Sequence, residues 1–241
     1  MIHVIKHIEC EGPGLLGHIL EELGEELMIV EVSKGDGLPR VSREMRAVIT
    51  LGGPMNVYEE ERFPFLKAED AFIKEVVRRG IPYLGLCLGA QLLAKSGGAG
   101  VKKSLVKEVG WYDVCLTRDG KEDLLFEGVE EELRVFQWHE DTFDIPRGGV
   151  LMAEGKVCRN QAFKLGPRAY GLQFHLEVDG EMIKKWAKEY LHGPVRDIER
   201  RTEEMLNGYY AVEKRMLRQL RRLCSNFRRI MDGPGGGEDG S

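Results

Sequence analysis

The sequence predicts an α/β fold: an open, doubly wound, mostly parallel sheet with antiparallel additions, followed by a C-terminal helical extension. Three observations predict it. Before Gly100, short apolar runs alternate with amphipathic helical stretches, the pattern of a parallel sheet flanked by helices. After Gly100, shorter strand-like segments follow one another with turn signals between them. Residues 195–231 then carry apolar side chains at helical spacing.

In order, Ile2–Ile8 reads as a strand, Leu15–Leu23 as a helix stopped by Gly24, and Leu27–Val32 as a second strand. Ala47–Leu51 is a third strand, running directly into Gly52-Gly53-Pro54. Phe65–Arg79 has Leu66, Phe72, Ile73, Val76 and Val77 on one helical face and ends at Gly80. Ile81–Leu86 is a fourth strand, leading into Cys87 and the helical run Ala90–Lys95. The later strand candidates are Gly110–Leu116, Leu133–Trp138, Val150–Ala153, Gln161–Leu165 and Tyr170–Phe174, separated by turns such as Pro146-Arg147-Gly148-Gly149. Met182–Leu191 reads as a closing helix. In 195–231, Met216, Leu217, Leu220, Leu223, Phe227 and Ile230 form a stripe among crowded arginines. The expected organisation is therefore a main domain over 1–191, a helical extension over 192–231 and a disordered tail over 232–241, where Gly-rich, polar sequence offers no apolar stripe. No internal repeat is present.

Bulk properties narrow the function. At 241 residues the chain exceeds the usual domain of roughly 100–200 but suits one large α/β unit. Its 42% hydrophobic content suffices for a core, and a formal net charge of -5 gives no reason to expect nucleic acid as a partner. No run approaches the ~18 apolar residues of a membrane helix, and the N-terminus lacks the features of a secretory signal. The five cysteines are scattered and form no CxxC pair, which argues for a reducing, cytoplasmic setting and against structural zinc.

Gly85-Leu86-Cys87-Leu88-Gly89 follows a strand and opens a helix, the thiol version of the nucleophile elbow. A sharp strand-to-helix turn pushes one side chain out of the sheet, and the positions two residues away must be small where backbones crowd. The helix N-terminus beneath the sulfur favours its anionic form. The same turn frees the Leu88 N–H, and Gly53, on the loop leaving the neighbouring strand, offers a second donor for an oxyanion. Most free cysteines are small buried hydrophobes, and Cys10, Cys115, Cys158 and Cys224 keep that reading.

A thiol attacking an amide needs a base and a proton donor for the leaving group. Gln173-Phe174-His175-Leu176-Glu177 provides them: residues two apart in an extended segment face the same side, so Glu177 can orient His175. His139-Glu140-Asp141 is a rival group following an apolar strand, and reads as a binding or structural element. His3, His7, His18 and His192 read as ordinary strand, helix or surface histidines.

Leu51-Gly52-Gly53-Pro54, Gly85–Gln91 and Gly171–Glu177, in that order and at these separations, resemble the three signatures of class I glutamine amidotransferases. The resemblance covers residues 1–191 and implies a flavodoxin-like glutaminase domain that frees ammonia from the glutamine side chain through a γ-glutamyl thioester. It implies Cys87, His175 and Glu177 as the triad, Gly53 and Leu88 as the oxyanion hole, and Gln91 with His139, Glu140 and Asp141 as glutamine-holding residues. Lys107-Glu108-Val109-Gly110 sits where the family often has an E-x-G stretch. Two positions depart from the family: Leu176 replaces the usual proline, and Trp138-His139-Glu140 replaces Ser-His-Gly. The chain thus resembles a stand-alone branch similar to the glutaminase part of GMP synthase. No cofactor or metal is implied. The expected ligand is glutamine or another γ-glutamyl small molecule, and a separate synthetase subunit is the expected protein partner, since only 50 residues follow Leu191. Neither nucleic acid nor membrane is expected.

Other signals compete. Gly12-Pro13-Gly14-Leu15-Leu16-Gly17 fits the dinucleotide fingerprint after a first strand, with Glu31 ending the second, but a Rossmann oxidoreductase leaves the Cys87 and His175 motifs unexplained. Gly97–Ser104 lacks the Gly-Lys-Ser/Thr of a phosphate loop and reads as a helix stop. The basic helix reads first as an amphipathic helix packed on its own domain, then as a partner-docking element. For the chemistry, the alternatives to ammonia delivery are a stand-alone γ-glutamyl hydrolase or peptidase and a binding module with an idle triad.

Overall fold

The computed structural model describes residues 1–233, so residues 234–241 of the expected tail lie outside the described residues. Among the described residues nine strands form one sheet: β1 Ile2–Lys6, β2 Leu27–Glu31, β3 Ala47–Thr50, β4 Tyr83–Leu86, β5 Val101–Leu116, β6 Glu132–Phe143, β7 Gly149–Gly155, β8 Asn160–Leu165 and β9 Ala169–Leu172. Their order is β2-β1-β3-β4-β9-β8-β7-β5-β6. The first five in that order pair in parallel and the rest pair antiparallel. The helices are α1 Gly14–Glu22, α2 Phe65–Arg78, α3 Leu88–Ser96, a short α4 Arg118–Glu122, α5 Gly180–Tyr190 and α6 Val195–Asp232.

Side-chain alternation along the strands divides the core in two. Ile2, Val4, Ala47, Ile49, Leu84 and Leu86 face one layer, where α1, α5 and α6 contribute Leu20, Trp186 and Phe227. Ile5, Val48 and Tyr83 face the other, filled by Ile73 of α2 and Leu92 of α3. The central strands β3 and β4 are buried on both faces, which is why they read as unbroken apolar runs.

Two strands extend beyond their sequence-based limits. β5 begins at Val101, not Gly110, because Lys102–Lys107 forms an exposed arm paired to β6, with an irregularity between Lys103 and Glu108. An arm with no buried face carries no apolar alternation. β6 continues past Trp138 to Phe143, so His139-Glu140-Asp141 lies within a strand, not after one. His139 and Asp141 consequently face inward together, while Glu140 is exposed.

The C-terminal stretch is one 38-residue helix. Met216, Leu220, Leu223, Phe227 and Ile230 are buried against the sheet and α1. Its arginines meet acids of the same chain: Arg215 with Glu130, Arg221 with Glu22, Arg228 with Glu25 and Arg229 with Glu127. α6 is thus an amphipathic helix laid on its own domain.

Candidate active site

His7, Gly52, Cys87 and His175 each lie just past the C-terminal end of a parallel strand, β1, β3, β4 and β9 respectively. That edge is where open α/β sheets gather ligand-binding groups, since loops there leave the sheet towards a common crevice. A cleft of about 320 Å³ opens at it, lined by Cys87, His175, Gly53, Gln91, Asp141 and Glu11 among others. Its size suits an amino-acid-sized ligand.

Cys87 has φ 47° and ψ -102°, and is the one non-glycine residue with positive φ among the described residues. A non-glycine residue held there costs on the order of 1–3 kcal/mol, so the surroundings must enforce it. They do. A Cβ on Gly85 would lie 2.4 Å from the Gly89 carbonyl oxygen, and a Cβ on Gly89 would lie 2.1 Å from the Thr50 carbonyl oxygen. The buried Tyr83 hydroxyl donates to the Gly89 carbonyl at 2.9 Å. Helix α3 therefore starts hard against β3 and β4, and the sulfur is thrust into the cleft. Among the described residues no protein acceptor takes the N–H of Leu88 or of Gly53.

His175 is brought to the sulfur by an isolated antiparallel bridge between its backbone and Phe136 of β6. Its Nδ1 lies 2.5 Å from Glu177 Oε1, and Glu177 Oε2 accepts from the Leu176 N–H at 3.0 Å. Trp186 stacks edge-on against the imidazole, with ring centroids 4.8 Å apart, and shields it from water. Burial disfavours the charged imidazole, but the Glu177 carboxylate and hydrogen bonding to Cys87 and Glu177 outweigh it. They hold His175 well above the ordinary histidine range. The cysteine sulfur also approaches the Trp138 carbonyl at 3.9 Å and the Gln173 amide nitrogen at 3.6 Å.

Asp141 is 3% exposed, and neither carboxylate oxygen has a hydrogen-bond partner. Burial pushes this carboxyl up, partly offset by the nearby Tyr58 hydroxyl and Lys103. Gln91 is a bracket: its amide nitrogen donates to the Asp141 carbonyl and to Gln173 Oε1, both at 3.2 Å. His139 lies deeper, with Nδ1 2.9 Å from the Asp141 carbonyl and Nε2 2.9 Å from Glu108 Oε2. Glu140 stands at the rim, paired with Lys107 and Lys103. Glu108, His139 and Cys158 have ligand atoms within 4.8 Å of one another. Both His139 nitrogens are already bonded, and Glu108 also accepts from Gln161, so a metal would have to displace that network.

Three residues at the site had no functional reading in the sequence. Gln173 touches the sulfur, although it lies inside the quoted motif. Glu11 is buried beside Gly52 and accepts from the Tyr190 hydroxyl at 2.7 Å. His7, read as an ordinary histidine, is fully buried between Gly52 and Glu69. The rival glycine motif has a packing role: a Cβ on Gly14, at φ 47°, would lie 2.3 Å from the Glu177 carbonyl oxygen, which accepts from the Leu15 N–H. That turn seats the Glu177 backbone.

Comparisons with known proteins point to one family. A family model described as glutamine amidotransferase class-I matches residues 14–188. A glutamine amidotransferase-like protein of Salmonella typhimurium, YfeJ, is 29% identical over 186 residues, covering 76% of this chain and 78% of its own. A GMP synthase [glutamine-hydrolyzing] of Bacteroides fragilis is 32% identical over 166 residues, 68% of this chain but only 30% of its own length. Among solved structures, a glutamine amidotransferase from Thermotoga maritima superposes with a TM-score of 0.85 at 37% identity, covering 95% of this chain and 97% of that one. Another, from Methylobacillus flagellatus, gives a TM-score of 0.83 at 27% identity, covering 94% and 93%.

Proposed function

This chain belongs to the class I glutamine amidotransferase family, and from that membership we propose that it hydrolyses the side-chain amide of glutamine through a thioester on Cys87. The observation that carries the proposal is the buried His175–Glu177 pair facing the sulfur of the strained Cys87 turn. The Cys87 thiolate attacks the amide carbon, and the resulting oxyanion accepts from the N–H groups of Gly53 and Leu88. The imidazolium of His175 gives its proton to the departing nitrogen, so ammonia leaves and the γ-glutamyl thioester remains. Water then attacks the thioester, His175 takes its proton, and glutamate departs with the thiolate restored. Glu177 orients the ring throughout and fixes its tautomer while it is neutral.

Asp141 supports glutamine as the substrate. Two buried carboxylate oxygens without donors suit the three N–H bonds of an α-ammonium group. Gln91 fixes the backbone that carries Asp141, and His139 with Glu108 fixes it from below.

We propose that the ammonia passes to a separate acceptor-bearing synthetase, in line with the GMP synthase relatives. A second outcome is a hydrolase of γ-glutamyl amides, because the same cleft and Cys87 turn would meet any γ-glutamyl carbonyl. Purified protein assayed for ammonia on glutamine and on γ-glutamyl amides separates the two: turnover of conjugates at rates above glutamine favours the second. Cys87→Ala should abolish turnover on either, and a glutamine-analogue electrophile should label Cys87 in the parent protein. Wild-type turnover by the Cys87→Ala protein would sink the mechanism.

A further inference from the structure

We infer that His7, braced by Glu69, fixes the orientation of the Gly52–Gly53 peptide and so aims the Gly53 N–H into the oxyanion hole. The inference rests on the thioester reading above and adds two positioning residues to it.

His7 lies just beyond β1 and Glu69 sits on α2, and both are fully buried. His7 Nδ1 is 2.9 Å from the Gly52 carbonyl oxygen, and Nε2 is 2.9 Å from Glu69 Oε2. A carbonyl oxygen only accepts, so Nδ1 carries the proton and donates it. In a trans peptide the carbonyl of one residue and the N–H of the next point in opposite directions. Drawing the Gly52 carbonyl towards His7 therefore turns the Gly53 N–H the other way, into the cleft that Gly53 shares with Cys87.

The lock is needed because two consecutive glycines are the most permissive backbone available. Without it this peptide could rotate and present its carbonyl, an acceptor, to a developing negative charge. His7 also walls the loop sterically: a Cβ on Gly53 would lie 2.9 Å from His7 Cβ and 3.0 Å from Leu88 Cδ2. The Glu69 carboxylate, the Gly52 carbonyl and the Glu11 charge overcome the burial that works against it and raise the affinity of His7 for its second proton.

A purely structural ion pair would tie α2 to the sheet. Yet Glu69 Oε1 is buried without a partner. An apolar pair of similar volume would hold the layers as well without leaving that oxygen unmatched. The geometry is better explained by what the imidazole does at its other nitrogen.

Two substitutions divide the two bonds. Asparagine places its amide nitrogen near the Nδ1 position, so His7→Asn keeps a donor to Gly52 and gives up Glu69. Glutamine reaches towards the Nε2 position, so His7→Gln keeps Glu69 and gives up Gly52. For ammonia release from glutamine we expect His7→Gln to lose kcat by about 10- to 100-fold, short of or near the loss from deleting a hole donor, with KM little changed. His7→Asn should keep kcat within about 5-fold. Alkylation of Cys87 by iodoacetamide involves no oxyanion and should proceed at the parent rate in both. A merely structural role predicts instead that activity tracks loss of thermal stability in both proteins. Wild-type kcat in His7→Gln, or an equal loss in both variants, overturns the proposal. Should the His7→Gln protein not fold, a folded His7→Asn protein with kcat more than about 10-fold down overturns it alone. A parent protein that neither releases ammonia nor takes a glutamine-analogue label on Cys87 defeats the thioester reading itself, and the positioning role with it.

Discussion

Substituting Gly89 by alanine tests whether contact between α3 and β3 is what holds the reactive sulfur in place. An alanine Cβ at this position would sit 2.1 Å from the Thr50 carbonyl oxygen and 2.8 Å from its carbon. Ordinary carbon–oxygen contact is about 3.3 Å, so the helix start and the strand must separate by about 1 Å. Neither atom belongs to a flexible side chain, so the strain falls on the backbone. Overpacking of this kind costs about 1–3 kcal/mol, and backbone against backbone belongs at the upper end. Alanine returns about 1 kcal/mol of helix propensity, because Gly89 lies in the first turn of α3. Overpacking wins, leaving a net loss of about 2 kcal/mol. A shift of about 1 Å at the nucleophile costs on the order of 100-fold in rate. Urea denaturation followed by ammonia release from glutamine reads both quantities. Gly12→Ala is the control, because its Cβ would meet nothing within 4 Å. A Gly89→Ala protein with an unchanged urea midpoint and turnover within about 2-fold of the parent would refute the reasoning about the elbow.

Further outcomes follow from the same geometry. Asp141→Asn should raise KM for glutamine by about 10- to 100-fold, the loss expected when a charged hydrogen bond to an ammonium goes, and kcat should hold; unchanged KM would remove Asp141 from the substrate site. The same variant should unfold at equal or higher urea, because it relieves a buried carboxylate without donors. His175 binds its proton more tightly folded than unfolded, where it titrates near about 6.5. Its protonation therefore stabilises the fold fully below that value, and the contribution fades as pH rises through the raised folded value. The urea-midpoint gap between the parent and His175→Gln should narrow as pH rises from about 6 to about 9; a widening gap would contradict the assigned direction. Phe227→Ala should cost about 3–5 kcal/mol, because the ring is 1% exposed in the core under α6. Arg221→Ala should leave the midpoint unchanged, because both partners of its ion pair are more than half exposed.

How much of this was legible in the sequence depends on the range of the interactions involved. The elbow was legible because its cause is local: five consecutive residues carry the nucleophile, the small flanking positions and the helix start. The His175–Glu177 pairing was legible for the same reason, since two positions separate the partners. The parallel strands were legible because burial on both faces leaves continuous apolar runs. The β5 arm was not, because Lys102–Lys107 buries no apolar face: its lysines reach Asp144 and Glu140 at the surface, and the segment faces solvent. Missing that arm also cut β6 short, which hid the shared inward face of His139 and Asp141. His7 was illegible for another reason: its partners, Gly52 and Glu69, are 45 and 62 positions away. The one local hint was Glu69 itself, a carboxylate on the apolar stripe of α2 beside Leu66, Phe72 and Ile73.

Buried ionisable groups concentrate at the site, with Glu25 and Asp123 buried elsewhere in the fold. Three carboxylate–imidazole pairs stand at this sheet edge: Glu69–His7, Glu177–His175 and Glu108–His139. Each turns an imidazole so that its second nitrogen meets a chosen atom, respectively the Gly52 carbonyl, the Cys87 sulfur and the Asp141 carbonyl. At His7 and His175 the carboxylate offsets the cost of burying a charged ring, which an apolar environment alone would leave uncompensated. Two further acids, Asp141 and Glu11, have no imidazole. Glu11 is capped by the Tyr190 hydroxyl, and burial pushes its carboxyl up despite that bond and the nearby His175. Asp141 has the Tyr58 hydroxyl and Lys103 nearby, but neither of its oxygens has a bonded donor among the described residues. A substrate ammonium there, as we propose for glutamine, would supply the donors that its two oxygens lack among the described residues.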